Sequence, residues 1–208
     1  MYVPPAFREE HLPSIHRWMR EIRLVQFVTA TAEGIIATPL PMFLNESEGD
    51  QGTLYGHVAR ANPQWKTAPT CDAMAIFAGP DAYVTPSWYL TKQETGKVVP
   101  TWNYIAVHAY GPVEFFEDAD RLLAVVTRLT DLHEQTRAEP WAVTDAPADF
   151  IKSQLRGIVG LRMRITRLDA KRKMSQNRNG ADRAGVINGL AESDRLSDRI
   201  ASALIPQG

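Results

Sequence analysis

Leu24-Val25-Gln26-Phe27-Val28-Thr29-Ala30, a turn at Glu33-Gly34, and then Ile35-Ile36-Ala37-Thr38 form the stretch that decides the fold. Both runs are rich in β-branched and aromatic residues, and the glycine-bearing turn between them spells a β-hairpin. Pro39 and Pro41 cannot donate to a ladder, so the pairing is expected to end or loosen there. Beyond the polar loop Glu46 to Gly52, Thr53-Leu54-Tyr55-Gly56-His57-Val58 reads as a third strand. Pro63 opens a short helix after Arg60-Ala61-Asn62. Two further strands, Ala73-Met74-Ala75-Ile76-Phe77 and Ala82-Tyr83-Val84, are expected on either side of a Gly79-Pro80-Asp81 turn.

Upstream, Ile15, Trp18, Met19 and Ile22 recur at helical spacing, which predicts a helix over Glu9 to Glu21. Downstream, Thr91 to Gly96 reads as flexible. Thr101 to Phe116 is a long strand with a break near Gly111-Pro112. Asp118 is the N-cap of a helix carrying Leu122, Leu123, Val126, Leu129 and Leu132. A shorter helix near Pro147 to Leu155 precedes a strand in which Leu161, Met163 and Ile165 alternate with Arg162, Arg164 and Thr166. Two polar helices, Asp182 to Ser193 and Asp194 to Leu204, close the chain. Many short antiparallel strands with peripheral helices predict a mainly β, α+β architecture, a β-barrel with helical decoration. No regular strand–helix alternation supports a doubly wound sheet.

The 208 residues carry 23 Lys and Arg against 24 Asp and Glu, a formal charge of −1. That balance argues against wholesale attraction to nucleic acid or anionic lipid, while leaving room for a local basic patch. Cys71 is the lone cysteine, so neither an internal disulfide nor a thiolate metal cage is available. Beside a hydrophobic strand, it is expected in the core. No stretch resembles a signal peptide or is apolar for long enough to cross a bilayer. The expectation is a soluble cytoplasmic protein with no membrane partner. Nucleotide-binding glycine loops, a nucleophile elbow and zinc-type histidine pairs are all lacking, and no catalytic residue or metal ligand is assigned.

Four clusters remain. Ala37-Thr38-Pro39-Leu40-Pro41 offers a hydroxyl beside backbone freed from sheet pairing, which suits a ligand ring or merely blunts an edge strand. Gly56-His57-Val58-Ala59-Arg60-Ala61-Asn62-Pro63 combines a close backbone approach, a fixed cationic fork and amides, as an anion requires, or is a plain strand-to-helix turn. Lys171-Arg172-Lys173-Met174-Ser175-Gln176-Asn177-Arg178 packs four cations among short polar side chains, suited to a phosphate, to nucleic acid, or to water alone. Tyr83, Trp88, Tyr89, Trp102 and Tyr104 fill a barrel or a dimer interface, or wall a flat conjugated ring.

Taken in order, these clusters resemble the PaiB family of FMN-binding negative transcriptional regulators. The resemblance rests on Tyr2-x-Pro4-x-x-Phe7, Gly56 to Pro63, Phe77-x-Gly79-Pro80-x-x-Tyr83-Val84-x-Pro86-Ser87-Trp88-Tyr89, Val99-Pro100-Thr101-Trp102-Asn103-Tyr104 and Lys173-Met174-Ser175-Gln176-Asn177. It implies a homodimeric FMN-binding split β-barrel over 1–180, with a helical extension over 181–208. It further implies Thr38 and Pro39 beside the flavin ring, and His57, Ala59, Arg60 and Asn62 along the ring edge and ribityl-phosphate arm. Lys173, Ser175 and Gln176 would close the phosphate end, with Arg60 and Lys173 gripping one phosphate. Promoter DNA is the partner this implies, with the C-terminal helices as the candidate reader, although their charges nearly cancel. The alternative is a flavin-dependent oxidoreductase of the flavin-reductase or pyridoxamine-phosphate-oxidase kind. A haem-handling variant would use His57 or His108 as axial ligand.

Overall fold

The computed structural model describes residues 1–207. Its strands are β1 (Leu24–Thr31), β2 (Gly34–Asn45), β3 (Thr53–Ala59), β4 (Ala73–Val84), β5 (Thr101–Gly111), β6 (Val113–Phe116), β7 (Ile158–Arg164) and β8 (Arg167–Lys173). The helices are α1 (Leu12–Glu21), α2 (Leu90–Thr95), α3 (Ala119–Glu134), α4 (Ala148–Leu155), α5 (Gly180–Ala191) and α6 (Leu196–Leu204). The strands form an eight-stranded sheet in the order β6-β7-β3-β2-β1-β4-β5-β8. The pairings of β1 with β2 and β4, of β3 with β2 and β7, and of β6 with β7 are antiparallel.

Two compact units share the chain. Unit 1 takes Met1–Ile15, Ala78–Val107 and everything from Asp169 onward, including the C-terminal helices; unit 2 takes His16–Phe77 and His108–Leu168. In unit 2 the pleat sorts the side chains. Leu54 stands opposite Met163 and Val58 opposite Val159, all buried on one face with Val25 and Phe27 of β1. On the other face Phe43 and Tyr55 stack 5.4 Å apart and pack on the Leu122, Val125 and Leu129 side of α3. Each large side chain so buried contributes about 1.5–3 kcal/mol. Asp118 caps α3 as expected, accepting the Arg121 N–H at 2.9 Å.

Four local expectations are corrected. β2 runs unbroken through both prolines, with Pro39 opposite Gln26 and Pro41 opposite Leu24. The Met42 N–H points to β1, bonding Arg23 O at 3.1 Å. By alternation the odd positions face away from β1, toward a side where β3 pairs only from Met42 onward, so the prolines sacrifice no ladder bond. Secondly, Gly79-Pro80-Asp81 is not a turn but the middle of β4. The Ser197 hydroxyl there donates to Asp81 O at 2.6 Å and accepts the Asp81 N–H at 3.2 Å, standing in for a strand partner. Thirdly, Thr91 to Thr95 is helical, ended by Gly96 in the left-handed region at φ 66°. Finally, Cys71 is exposed, because it sits in the loop before β4 and not in the strand itself.

Candidate functional site

In unit 2 the elements converge on Gln64, a fully buried side chain on the single helical turn Pro63–Trp65. Its Nε2 donates to Thr29 Oγ1 at 3.1 Å and Ile36 O at 3.2 Å, and its Oε1 accepts the Thr38 hydroxyl at 2.6 Å. Thr38 Oγ1 in turn accepts from Asn62 Nδ2 at 3.0 Å, while Asn62 Oδ1 caps the turn by accepting the Gln64 N–H at 2.9 Å. A buried amide with all its bonds made fixes the β2–β3 corner; stripped of partners it would cost about 1–3 kcal/mol per stranded group. Thr38 and Asn62 are therefore brought together, with Pro39 exposed beside them. Gln64 was not among the expected site residues. Its signal lay in the Asn62-Pro63-Gln64 string, a capped turn with an amide where a solvent-facing residue is usual.

Arg60 and His57 are placed differently from that trio. The Arg60 guanidinium bonds Arg156 O at 2.6 Å and Ile158 O at 3.3 Å, pairs with Glu117, and lies 5.8 Å from the Trp65 ring centre. Its fork is taken up by protein acceptors. His57 alternates away from Thr38: Met42 is paired with Gly56, so Thr38, Leu40 and Met42 share the face of Gly56 while His57 occupies the other. There it lines an apolar cavity of about 280 Å³ with Trp141, Phe150 and Ile158. Its Nδ1 is buried without a hydrogen bond among the described residues, and burial pushes its pKa down. Ala59 ends β3, exposed, its carbonyl accepting the Asn62 N–H at 2.9 Å.

Unit 1 holds the other expected cluster, and part of it is strand. Lys171 and Lys173 are the last residues of β8 to alternate toward the same side, and a tight loop follows. Ser175 adopts a left-handed φ of 56° and exchanges hydrogen bonds with buried Asn103 at 2.9 and 3.2 Å. Gln176 folds back, accepting the Met174 N–H at 2.6 Å and donating to Ala6 O at 3.2 Å. Both side chains thus shape the loop. Lys173 contacts Thr101 Oγ1 and stands 5.9 Å from the Phe7 ring centre. Lys171, only 8% exposed, lies 5.9 and 5.1 Å from the Tyr2 and Tyr104 rings. Arg178 sits 4.5 Å over Tyr89. None of the three cations makes an ion pair among the described residues. Burial, and then the charges of Lys171 and Arg178, hold the Lys173 ammonium below its usual pKa.

Positive charge gathered without a counter-ion, walled by aromatic rings, fits a phosphate ester carrying a flat ring system. The antiparallel sheet with its peripheral helices is of the split-barrel class. Comparison with known proteins agrees. Residues 1–167 match the family described as "Putative FMN-binding domain". The protease synthase and sporulation protein PAI 2 of Bacillus subtilis is 35% identical over 195 residues, covering 93% of this chain and 91% of its own. An uncharacterized protein of Aspergillus fumigatus is also 35% identical, covering 91% and 90%. Among solved structures, a conserved hypothetical protein of Mycobacterium tuberculosis superposes with a TM-score of 0.59 at 10% identity, covering 86% of this chain and 94% of that one. The FAD and haem binding protein of Mycobacterium smegmatis gives 0.55 at 16% identity, covering 77% and 70%. The chain belongs to the FMN-binding, PaiB-like family, and FMN is its cofactor. Lys173, Ser175 and Gln176 lie just beyond the matched segment.

Proposed function

We propose that this chain is a homodimeric, flavin-dependent negative transcriptional regulator of the cytoplasm. The observation that carries the flavin part is the uncompensated trio Lys171, Lys173 and Arg178. Lys173, with its neighbours, holds the phosphate end; Ser175 and Gln176 hold the loop that presents it. Within unit 2 the Thr38 and Asn62 corner with Pro39 beside it, the committed fork of Arg60 and the turned-away His57 brace one another around Gln64 and the end of β3. Bound flavin supplies the electron chemistry, and the protein supplies binding and orientation. Exposed Tyr83 and Trp102, their rings edge-to-face at 5.9 Å, are apolar surface suited to a second copy. Light scattering should therefore give twice the 23.2 kDa protomer mass.

The regulator part draws on α5 and α6. Their acids and bases nearly cancel in the sequence, yet Asp182 and Asp198 are 2% and 8% exposed. Asp182 accepts from Thr91 N and Oγ1, and Asp198 accepts the Ser193 hydroxyl while pairing with Arg195 at 3.5 Å. With Arg195 spent on Asp198, half-buried Arg183 and exposed Arg199 stand against Glu192 and Asp194, so the surface is as evenly balanced as the sequence. Gel shifts on promoter fragments at stepped salt, with oxidised and reduced flavoprotein, test this reading. The expected result is binding that weakens steeply with salt and differs between the two flavin states. No shift at any salt, together with flavin turnover by a nicotinamide donor, would replace the regulator by an oxidoreductase.

A further inference from the structure

Unit 2 contains a second concentration of positive charge, unrelated to the flavin residues. A cavity of about 290 Å³ opens between α1, the end of β2 and the last turns of α3. Arg17, Arg20, Arg23 and Arg128 line it; its floor is apolar, with Met42, Phe43 and Leu129 among its residues. Two of the arginines are engaged. Arg20 pairs with Glu46, and Arg23 donates to Leu132 O at 2.8 Å and approaches His133 Nδ1 at 3.3 Å. Arg17 and Arg128 have no hydrogen-bond or ion-pair partner among the described residues, and Glu21 is the only carboxylate in the lining.

Four guanidinium groups repel one another, and water screens that repulsion less well in a half-enclosed site. The guanidinium fork is matched to carboxylate and phosphate, which it binds bidentately. The apolar floor adds a second requirement that a bare inorganic ion does not meet. The volume lies at the lower end of the range for small-molecule sites.

We infer that this cavity binds a small organic oxyanion, an apolar body of about one ring bearing a carboxylate or phosphate, with Arg17 and Arg128 as its two free forks. The inference does not rest on the flavin or the regulator reading: the site lies on α1, β2 and α3, and it is tested on flavin-loaded protein.

Titration calorimetry would use phenylacetate, phenyl phosphate, the neutral 2-phenylethanol and inorganic phosphate as probes. The expected result is saturable binding of at least one organic anion, with 2-phenylethanol and inorganic phosphate each at least about tenfold weaker. A preference between phenylacetate and phenyl phosphate identifies the head group. The Arg17→Gln/Arg128→Gln double variant should lose about tenfold or more in affinity while keeping its melting temperature and flavin content, since both side chains are exposed and unpartnered. Glu21→Gln should tighten binding. The proposal is overturned if no probe saturates, if 2-phenylethanol binds as tightly as the anions, or if the double variant binds like the parent.

Discussion

Lys173→Ala should weaken binding of FMN to the apo-protein about tenfold to over a hundredfold, and should barely change binding of riboflavin. Hydrogen bonds to a charged group contribute roughly 1.5–3 kcal/mol, and each 1.4 kcal/mol is a factor of ten in affinity. Lys173 is the member of the trio with its ammonium half-buried and pressed by two like charges. A phosphate dianion relieves that pressure, so the loss on substitution belongs to the phosphate alone. Fluorescence titration with the two flavins separates this from a general disturbance of the ring site. Equal losses for FMN and riboflavin would show that Lys173 supports the fold around the ring. Equal affinities of parent and variant for FMN would remove the phosphate assignment.

The largest stability effect is expected at α5. Gly185 and Gly189 lie one turn apart, and the Trp88 ring is seated against them. A Cβ on Gly185 would come within 1.9 Å of Trp88 O, and one on Gly189 within 2.2 Å of the indole ring. Backbone oxygen cannot swing aside, so Gly185→Ala must lift the helix from its seat and strain the bonds between buried Asp182 and Thr91, at 3.0 and 2.9 Å. Overpacking of this kind costs about 1–3 kcal/mol, and the contact with main chain places it at the upper end. For a chain of this size that lowers Tm by about 6–12 °C. Gly180→Ala is the control: nothing lies within 4 Å of its added methyl, and Tm should hold or rise slightly. Differential scanning calorimetry on the two variants decides the matter, a Gly185→Ala protein melting with the parent being the adverse result.

These residues also show where sequence reading succeeds and where it stops. The β1–β2 hairpin and the alternating β7 were legible because their information is local: β-branched runs, a glycine turn, a period of two. The Gly79-Pro80-Asp81 segment was not, since the group that straightens it, Ser197, arrives from 116 positions away. Arg60 could be seen as a cation but not as a spent one, because Glu117 and the Ile158 carbonyl meet it only in three dimensions. The same holds for His57, whose face is set by the Met42–Gly56 register. Conversely, Lys171 and Arg178 stood in the motif beside Lys173, and only the structure shows that no carboxylate among the described residues pairs with any of them.

The threading of unit 1 has a consequence for how the protein is made. Its first segment joins its last: the Glu9 N–H bonds Ala170 O at 3.1 Å, and Arg8 bridges to Lys171. A ribosome must therefore release the intervening residues 10–169 before Glu9 finds its neighbour. Until then Phe7 and the Tyr2 ring have no cationic strand to lie against. Contacts so distant along the chain slow folding and lengthen the time for which unfinished strands stand open to other copies.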